Sequence, residues 1–474
     1  MARAAPLKVI DAAGGNDVEE SLYEVRKKIY PRAVQGWFAR WRIALVAATQ
    51  LLFYGLPWLT WNARPAVLFD LGARKFYIFN IVFWPQDFIF LTGLLVISAL
   101  SLFLFTAVGG RLFCGYACPQ TVYTEIFMWI ERKVEGDRAQ RMKLDGGSLS
   151  ANKAVRKALK HALWIAIGLW TGFTFVGYFT PIKTLATELA TWTLGPWETF
   201  WILFYGFATY GNAGWMREQV CKYMCPYARF QSAMFDPDTL IITYDAQRGE
   251  PRGSRGKSAD YKAKGLGACV DCGICVQVCP TGIDIRRGLQ YECIGCAACV
   301  DGCNQVMDKM GYARGLIRYS TENAIKRGLT PPQLIKRIFR PRVLVYMTLL
   351  SIIVCTLLAT LYLRSPLKVD VIRDRAALMR ETRDGKVENI YRLQIMNTDE
   401  RMHSYVIKAS GLQGLQVVPA GPVAIAGATT QSIAVTVQID PAGIKPGSHN
   451  IMFHIEDKEQ PSVRADEKSR FFVK

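Results

Sequence analysis

The chain has 474 residues, 51% of them hydrophobic and 12% aromatic, with a formal net charge of +19. A soluble domain so basic would suggest nucleic acid. Here the basic residues alternate with long apolar runs, so a membrane protein with cationic loops is expected, with membrane lipid and not nucleic acid around it. The thirteen cysteines sit mostly in tight C-x-x-C spacings within an intracellular-looking segment, which favours metal over disulfides.

Residues 1–38 are polar, with an acidic patch from Asp17 to Glu20, and read as a cytoplasmic tail without a cleavable signal peptide. Five segments suit the roughly 20 residues that a bilayer crossing takes: 43–61, 88–108, 162–182, about 199–215 and 343–363. The fourth is the shortest and has Glu198 at its edge; residues 76–85, flanked by Arg74 and Lys75, read as interfacial. Basic residues cluster before the first span (Arg26, Lys27, Lys28, Arg32, Arg40, Arg42), between the second and third, and through 216–342. The loops 62–87 and 183–198 are poor in them. The positive-inside rule then puts the N-terminus and 216–342 in the cytoplasm, and an odd number of spans leaves the C-terminal tail outside. The expected layout is a tail (1–38), a four-helix membrane region (39–235), a cysteine-rich cytoplasmic domain (236–342), a fifth transmembrane helix (343–363) and an outer β domain (364–474).

Within the membrane region a motif occurs twice. Cys114-Gly115-Tyr116-Ala117-Cys118-Pro119 follows the second span and Cys221-Lys222-Tyr223-Met224-Cys225-Pro226 follows the fourth. Proline favours the first position of a helix, so Cys118 and Cys225 are expected near N-caps, where the helix dipole stabilises a thiolate. A pseudo-twofold relation between the two hairpins would bring four thiolates together at the bilayer surface. Soft thiolates select Cu(I), zinc or an iron–sulfur centre, and a redox disulfide is a further option. The plain alternative is four small buried hydrophobes at helix ends, with Met224 either a soft ligand or packing.

Next come Cys269, Cys272, Cys275, Cys279 and then Cys293, Cys296, Cys299, Cys303, each run obeying C-x2-C-x2-C-x3-C. Three cysteines so close wrap one face of a [4Fe–4S] cubane, and the fourth is carried to the other cluster. The expected pairing is Cys269, Cys272, Cys275 and Cys303 on one cluster and Cys279, Cys293, Cys296 and Cys299 on the second. Gly273, Gly295, Ala297 and Ala298 let the backbone approach the sulfides. Structural zinc sites, the alternative, normally place four ligands in two separated pairs. Pro280 follows the first run but Asn304 the second, a departure expected to loosen the turn after Cys303. Cys355 stands alone in the fifth span and reads as core.

The tail beyond 364 has no cysteine and shows short alternating stretches punctuated by Gly, Pro and Asn, the pattern of a small β-sandwich. Among four histidines, only His161 lies near a span, so no intrinsic haem b is expected. His449 and His454, five apart, read as unrelated surface residues. Gly265-Leu266-Gly267 lacks a third glycine and is no dinucleotide fingerprint, so no NAD site is expected.

Trp84-Pro85-Gln86-Asp87 before the second span, the twin motifs, the double run ending in Cys303, the fifth span and the cysteine-free β tail together resemble one family. It is the family of cytochrome c oxidase accessory proteins called CcoG, RdxA or FixG, which supports assembly of cbb3-type oxidases. The resemblance implies reduction of Cu(II) to Cu(I) for the oxidase, with Cys114, Cys118, Cys221 and Cys225 as candidate copper or redox thiols. The eight clustered cysteines become the electron path and the tail an immunoglobulin-like domain. Implied partners are oxidase subunits or copper chaperones and a cytoplasmic electron donor; a homodimer stays open. Two alternatives remain. One is a quinol-linked conduit, with aromatic residues near 76–85 lining a quinone pocket. The other is a non-catalytic assembly scaffold that docks an oxidase subunit through its β tail.

Overall fold

The structure is a computed structural model that describes residues 7–9, 18–20, 28–62, 64–257, 259–374 and 379–473. Asp17, Arg26 and Lys27 of the N-terminal reading lie outside the described residues. The chain packs into two compact units, one of residues 1–46, 109–164 and 211–334, the other of 47–108, 165–210 and 335–474. All twelve cysteines of the two motif types fall in the first unit and Cys355 in the second.

Among the described residues three helices are long and apolar enough to cross a membrane: Pro85–Gly109, Ala151–Val176 and Pro341–Tyr362. The other two expected spans are less regular. The first is the helix Trp37–Gly55, with Arg40 and Arg42 in its opening turns; it gives way to a 3-10 turn at Pro57 and a short hairpin from Thr60, so the expected end at 61 is too long. The fourth has only 14 α-helical residues, Pro196–Thr209, and continues as a π-helix over Tyr210–Met216. Such π segments often mark functional positions.

In the second unit, glycines let the helices approach closely. A Cβ on Gly172 would lie 2.2 Å from the Ile202 carbonyl oxygen, and one on Gly168 would lie 2.7 Å from that of Gly206. The segment expected to be interfacial lies mostly in a small antiparallel sheet, Val67–Asp70, Lys75–Ile78 and Ile81–Phe83. The Trp84-Pro85-Gln86-Asp87 stretch acts as a clamp: buried Asp87 accepts from the Trp84 backbone N–H and pairs with Arg364 and Lys368. The tail is a β-sandwich. One sheet runs Leu367–Arg373, Val387–Asn397, Thr429–Ile439, Gln416–Val418; the other runs Pro422–Ile425, His403–Ser410, Gly447–Asp457, Arg464–Val473. Alternate residues of both sheets (Tyr391, Leu393, Val435, Phe453, Phe471) form its buried core.

In the first unit, Ile241–Tyr244 pairs antiparallel with Ile317–Ser320 beside the helix Ala298–Met310. The expected turn after Cys303 does not exist. Cys303 and Asn304 lie inside that helix, where the Asn304 side-chain oxygen accepts from the Gly315 N–H. The supposed tail also packs here. The Asp301 carboxylate, almost fully buried, accepts from the N–H groups of Phe38 and Ala39 and so caps the helix Trp37–Gly55.

Candidate iron–sulfur and thiol centre

The two cysteine runs fold alike. In each, the residues before and after the second cysteine take positive φ: Asp271 (52°) and Gly273 (64°), then Gly295 (69°) and Ala297 (57°). A short helix starts immediately afterwards in each case, at Ile274 and at Ala298. This repeated backbone shape is compatible with cysteine runs that wrap a cubane.

The thiols lie in two neighbourhoods that touch through Cys275 and Cys299. The electrostatic neighbours of Cys303 are Cys275, Cys269 and Cys272. Those of Cys293 are Cys279 and Cys296, and Cys299 faces Cys296, Cys293, Cys279 and also Cys275. Burial pushes Cys303 and Cys293 up to about 12 and Cys275 up to about 11, so these sulfurs would be uncharged thiols without a cationic centre to bind. Among the described residues no three His, Cys, Asp or Glu side chains close on a single metal ion, and every cysteine is free. Each run offers four sulfur donors, and that all-sulfur set fits an iron–sulfur cluster.

The surroundings of the two groups differ. Cys272 is exposed. Beside its group, Arg286 pairs with Asp284 and Asp271, at 2.7 and 2.5 Å, and the part-exposed Arg255 donates to the Cys269 carbonyl oxygen at 3.2 Å. The second group is enclosed by two buried guanidiniums. Arg42 donates to the Cys296 carbonyl oxygen at 3.2 Å, and Arg111 donates to that of Cys293 at 3.0 Å and of Ala228 at 2.7 Å. Neither arginine carried a motif signal in the sequence; each meets its target across more than 180 residues of chain.

The twin motifs meet at this second group. Cys118 and Cys225 occupy N-caps with Pro119 and Pro226 at the first helical position, as the sequence predicts. The four thiols converge: Cys221 has Cys118, Cys114 and Cys225 as electrostatic neighbours. The expected thiolate stabilisation does not follow. Burial pushes Cys114 up to about 11 and Cys221 up to about 12, and it raises Cys118 despite hydrogen bonds from the Gln120 and Thr121 backbones. Loss of water outweighs the helix dipole there. Cys114 donates to the Gln231 side-chain oxygen at 3.4 Å, and the Gln120 amide bridges to the Asn212 and Arg217 carbonyl oxygens, tying the two motif arms together.

Backbone contact joins the twin motifs to the second cysteine group. A Cβ on Gly115 would lie 2.9 Å from the Cys296 nitrogen and Cα, and one on Gly295 would lie 3.0 Å from the Arg111 carbonyl oxygen. A cavity of about 40 Å³, lined by Thr121, Glu125, Arg217, Glu218, Cys221 and Cys296, opens between them. Met224 is exposed and lines an open recess with Cys225 and Phe230. A separate cavity of about 380 Å³ is walled by His161, Trp164, Trp215 and buried Glu131.

Comparison with known proteins bears on both features. Residues 216–322 match a family described as a 4Fe-4S dicluster domain, and residues 91–135, which hold Cys114 and Cys118, match a 4Fe-4S binding domain. Residues 357–474 match the IG-like fold at the C-terminus of FixG. The chain is 39% identical over 461 residues to the nitrogen fixation protein FixG of Rhizobium meliloti, covering 90% of this chain and 87% of that one. It is 40% identical to protein RdxA of Cereibacter sphaeroides, covering 84% and 86%. The chain belongs to the FixG/RdxA family. It is a membrane-associated, ferredoxin-type iron–sulfur protein. The ferredoxin-type protein NapH of Haemophilus influenzae is more distant, at 22% identity over 46% of this chain and 68% of that one. A FixG-related protein of known structure from Vibrio parahaemolyticus aligns with 23% of this chain and 99% of its own, at 24% identity and a TM-score of 0.21.

Proposed function

We propose that this FixG/RdxA-family protein is a cupric reductase of the bacterial inner membrane that supplies Cu(I) for assembly of a cbb3-type cytochrome c oxidase. In this reading the chain crosses the membrane five times, with the cysteine region cytoplasmic and the immunoglobulin-like domain periplasmic. Cys269, Cys272, Cys275 and Cys303 hold one [4Fe–4S] cluster, and Cys279, Cys293, Cys296 and Cys299 hold the other. When bound, the clusters supply one-electron storage and transfer. Cys114, Cys118, Cys221 and Cys225 receive copper as substrate: Cu(II) takes up one electron and leaves as Cu(I), which thiolates favour. Met224, exposed beside Cys225, offers a soft thioether at the mouth of that site.

The observation that carries the reading is contact. A glycine, Gly115, inside the first thiol motif packs its backbone on Cys296 of the second cysteine group. Soft ligands and a one-electron carrier are thereby adjacent. Arg111 lies between them, its charge felt by Cys114, Cys221 and Cys293 together.

The test reduces purified full-length protein with dithionite, removes the excess reductant on a desalting column, and then follows reduction of added Cu(II) with a Cu(I)-specific chelator. The Cys114→Ser/Cys221→Ser protein should keep its cluster absorbance and lose most of the rate. Equal rates in the two proteins would refute the copper site.

A further inference from the structure

We propose that the basic face around Cys272 is the docking surface for an acidic, soluble one-electron carrier protein of the flavodoxin or ferredoxin kind. Cys272 is the one exposed cysteine of the eight in the two runs, so electrons meet the least protein there. The loop that precedes it is fastened to the same cysteine group. The Gly253 N–H and an Arg255 guanidinium N–H both donate to the Cys269 carbonyl oxygen, at 3.3 and 3.2 Å. A second Arg255 N–H reaches the Gly267 carbonyl oxygen at 2.6 Å, and Tyr261 packs on Tyr312 with ring centroids 4.7 Å apart.

This fastened loop is strongly cationic. Between 252 and 264 it carries Arg252, Arg255, Lys257, Lys262 and Lys264 against the single carboxylate of Asp260. Arg252, Lys257, Lys262 and Lys264 are exposed. Among the described residues the three lysines form no ion pair, so their charge is available to a partner. Arg252 pairs with Glu250 at 3.8 Å and its charge also acts on Asp284, which pairs with Arg286. A positive surface around an exposed redox ligand steers a negatively charged partner and raises its association rate more than its final affinity. In each encounter the reduced carrier loses one electron and the protein gains one, and no proton or bond is exchanged. The inference depends on the iron–sulfur assignment but not on copper.

The experiment mixes full-length protein in detergent with a reduced, acidic flavodoxin and follows bleaching of the cluster absorbance. The comparison protein is Lys257→Glu/Lys262→Glu/Lys264→Glu, whose changes are all on exposed side chains. The second-order rate should fall steeply with added salt and should drop about tenfold or more in the variant at low salt. Reduction by dithionite, and dithionite-driven Cu(II) reduction, should be the same in both proteins, which separates failure of this surface from failure of the copper reading. A rate independent of salt and of the three substitutions would overturn the proposal. So would unchanged carrier rates with loss of binding to anionic lipid vesicles, since the patch would then be a membrane contact. Cluster reduction by a hydroquinol in proteoliposomes, faster than by the carrier and indifferent to the substitutions, would also overturn it.

Discussion

Cys272 and Cys296 hold the same place in the two cysteine runs, with left-handed residues on either side of each, yet one is exposed and the other is buried under Arg42 and the Gly115 backbone. The backbone repeat gives two equivalent cradles. The surroundings give them a direction. The first faces solvent, with Arg286 already paired to Asp284 and Asp271. The second faces two buried guanidiniums bound to cysteine carbonyl oxygens, Arg42 with Glu125 3.9 Å away, and four further thiols. Positive charge near a cluster favours its reduced form, so electrons should run from the first cradle to the second and on to the twin motifs.

The sharpest way to break this comparison is to remove one cradle at a time. Cys299→Ser should halve the iron content and abolish Cu(II) reduction, whereas Cys272→Ser should abolish reduction by a protein carrier and spare part of that by dithionite. Iron analysis with the chelator assay reads both. Next is Gly115→Val. Its new side chain meets the Cys296 backbone, so the two loops must part, at a stability cost of about 1–3 kcal/mol for overpacking. Copper reduction should fall about tenfold while EPR shows both clusters present.

A subtler test exchanges the charges. Arg111→Gln should lower the midpoint potential of one cluster only, by about 59 mV if the loss is tenfold in the equilibrium constant. Arg111→Lys should restore part of it. Arg286→Gln should shift the other cluster less, because its partners Asp284 and Asp271 already offset the charge. Redox titration followed by EPR distinguishes the two. The smallest effect concerns the thiols. Burial raises Cys114 and Cys221 above an ordinary thiol, so at neutral pH they carry their protons, and the reactive thiolate fraction grows as pH rises toward the raised value. Alkylation of metal-free protein should therefore speed up about tenfold per pH unit between neutrality and pH 10 at these positions.

Local spacing was legible in the sequence; long-range packing was not. The cysteine runs, the twin motifs with their N-cap cysteines, and the alternation of the β tail are short-range patterns that fix backbone shape, and the structure has them. Arg42 looked like one more cytoplasmic anchor because nothing within a few residues ties it to Cys296, 254 positions away. Asp301 caps a helix that begins more than 260 positions earlier, and nothing beside it in sequence points there. The thiolate expectation failed for a related reason: an N-cap is a local feature, while the burial that outweighs it comes from the whole unit. Composition located the apolar runs but not their regularity, and the Tyr210–Met216 π segment had no hydropathy signature.

The central claim is directional, so the most direct measurement follows electrons leaving. Fully reduced protein is mixed rapidly with Cu(II), frozen at successive times and read by EPR, with the two cluster signals assigned from the Arg111→Gln shift. The account predicts that the cluster beside Arg111 is reoxidised first, with one Cu(I) formed per electron lost, and that Cys114→Ser/Cys221→Ser slows the reoxidation of both. Earlier loss of the signal from the Cys272 side, or reoxidation unchanged by the two serines, would contradict it.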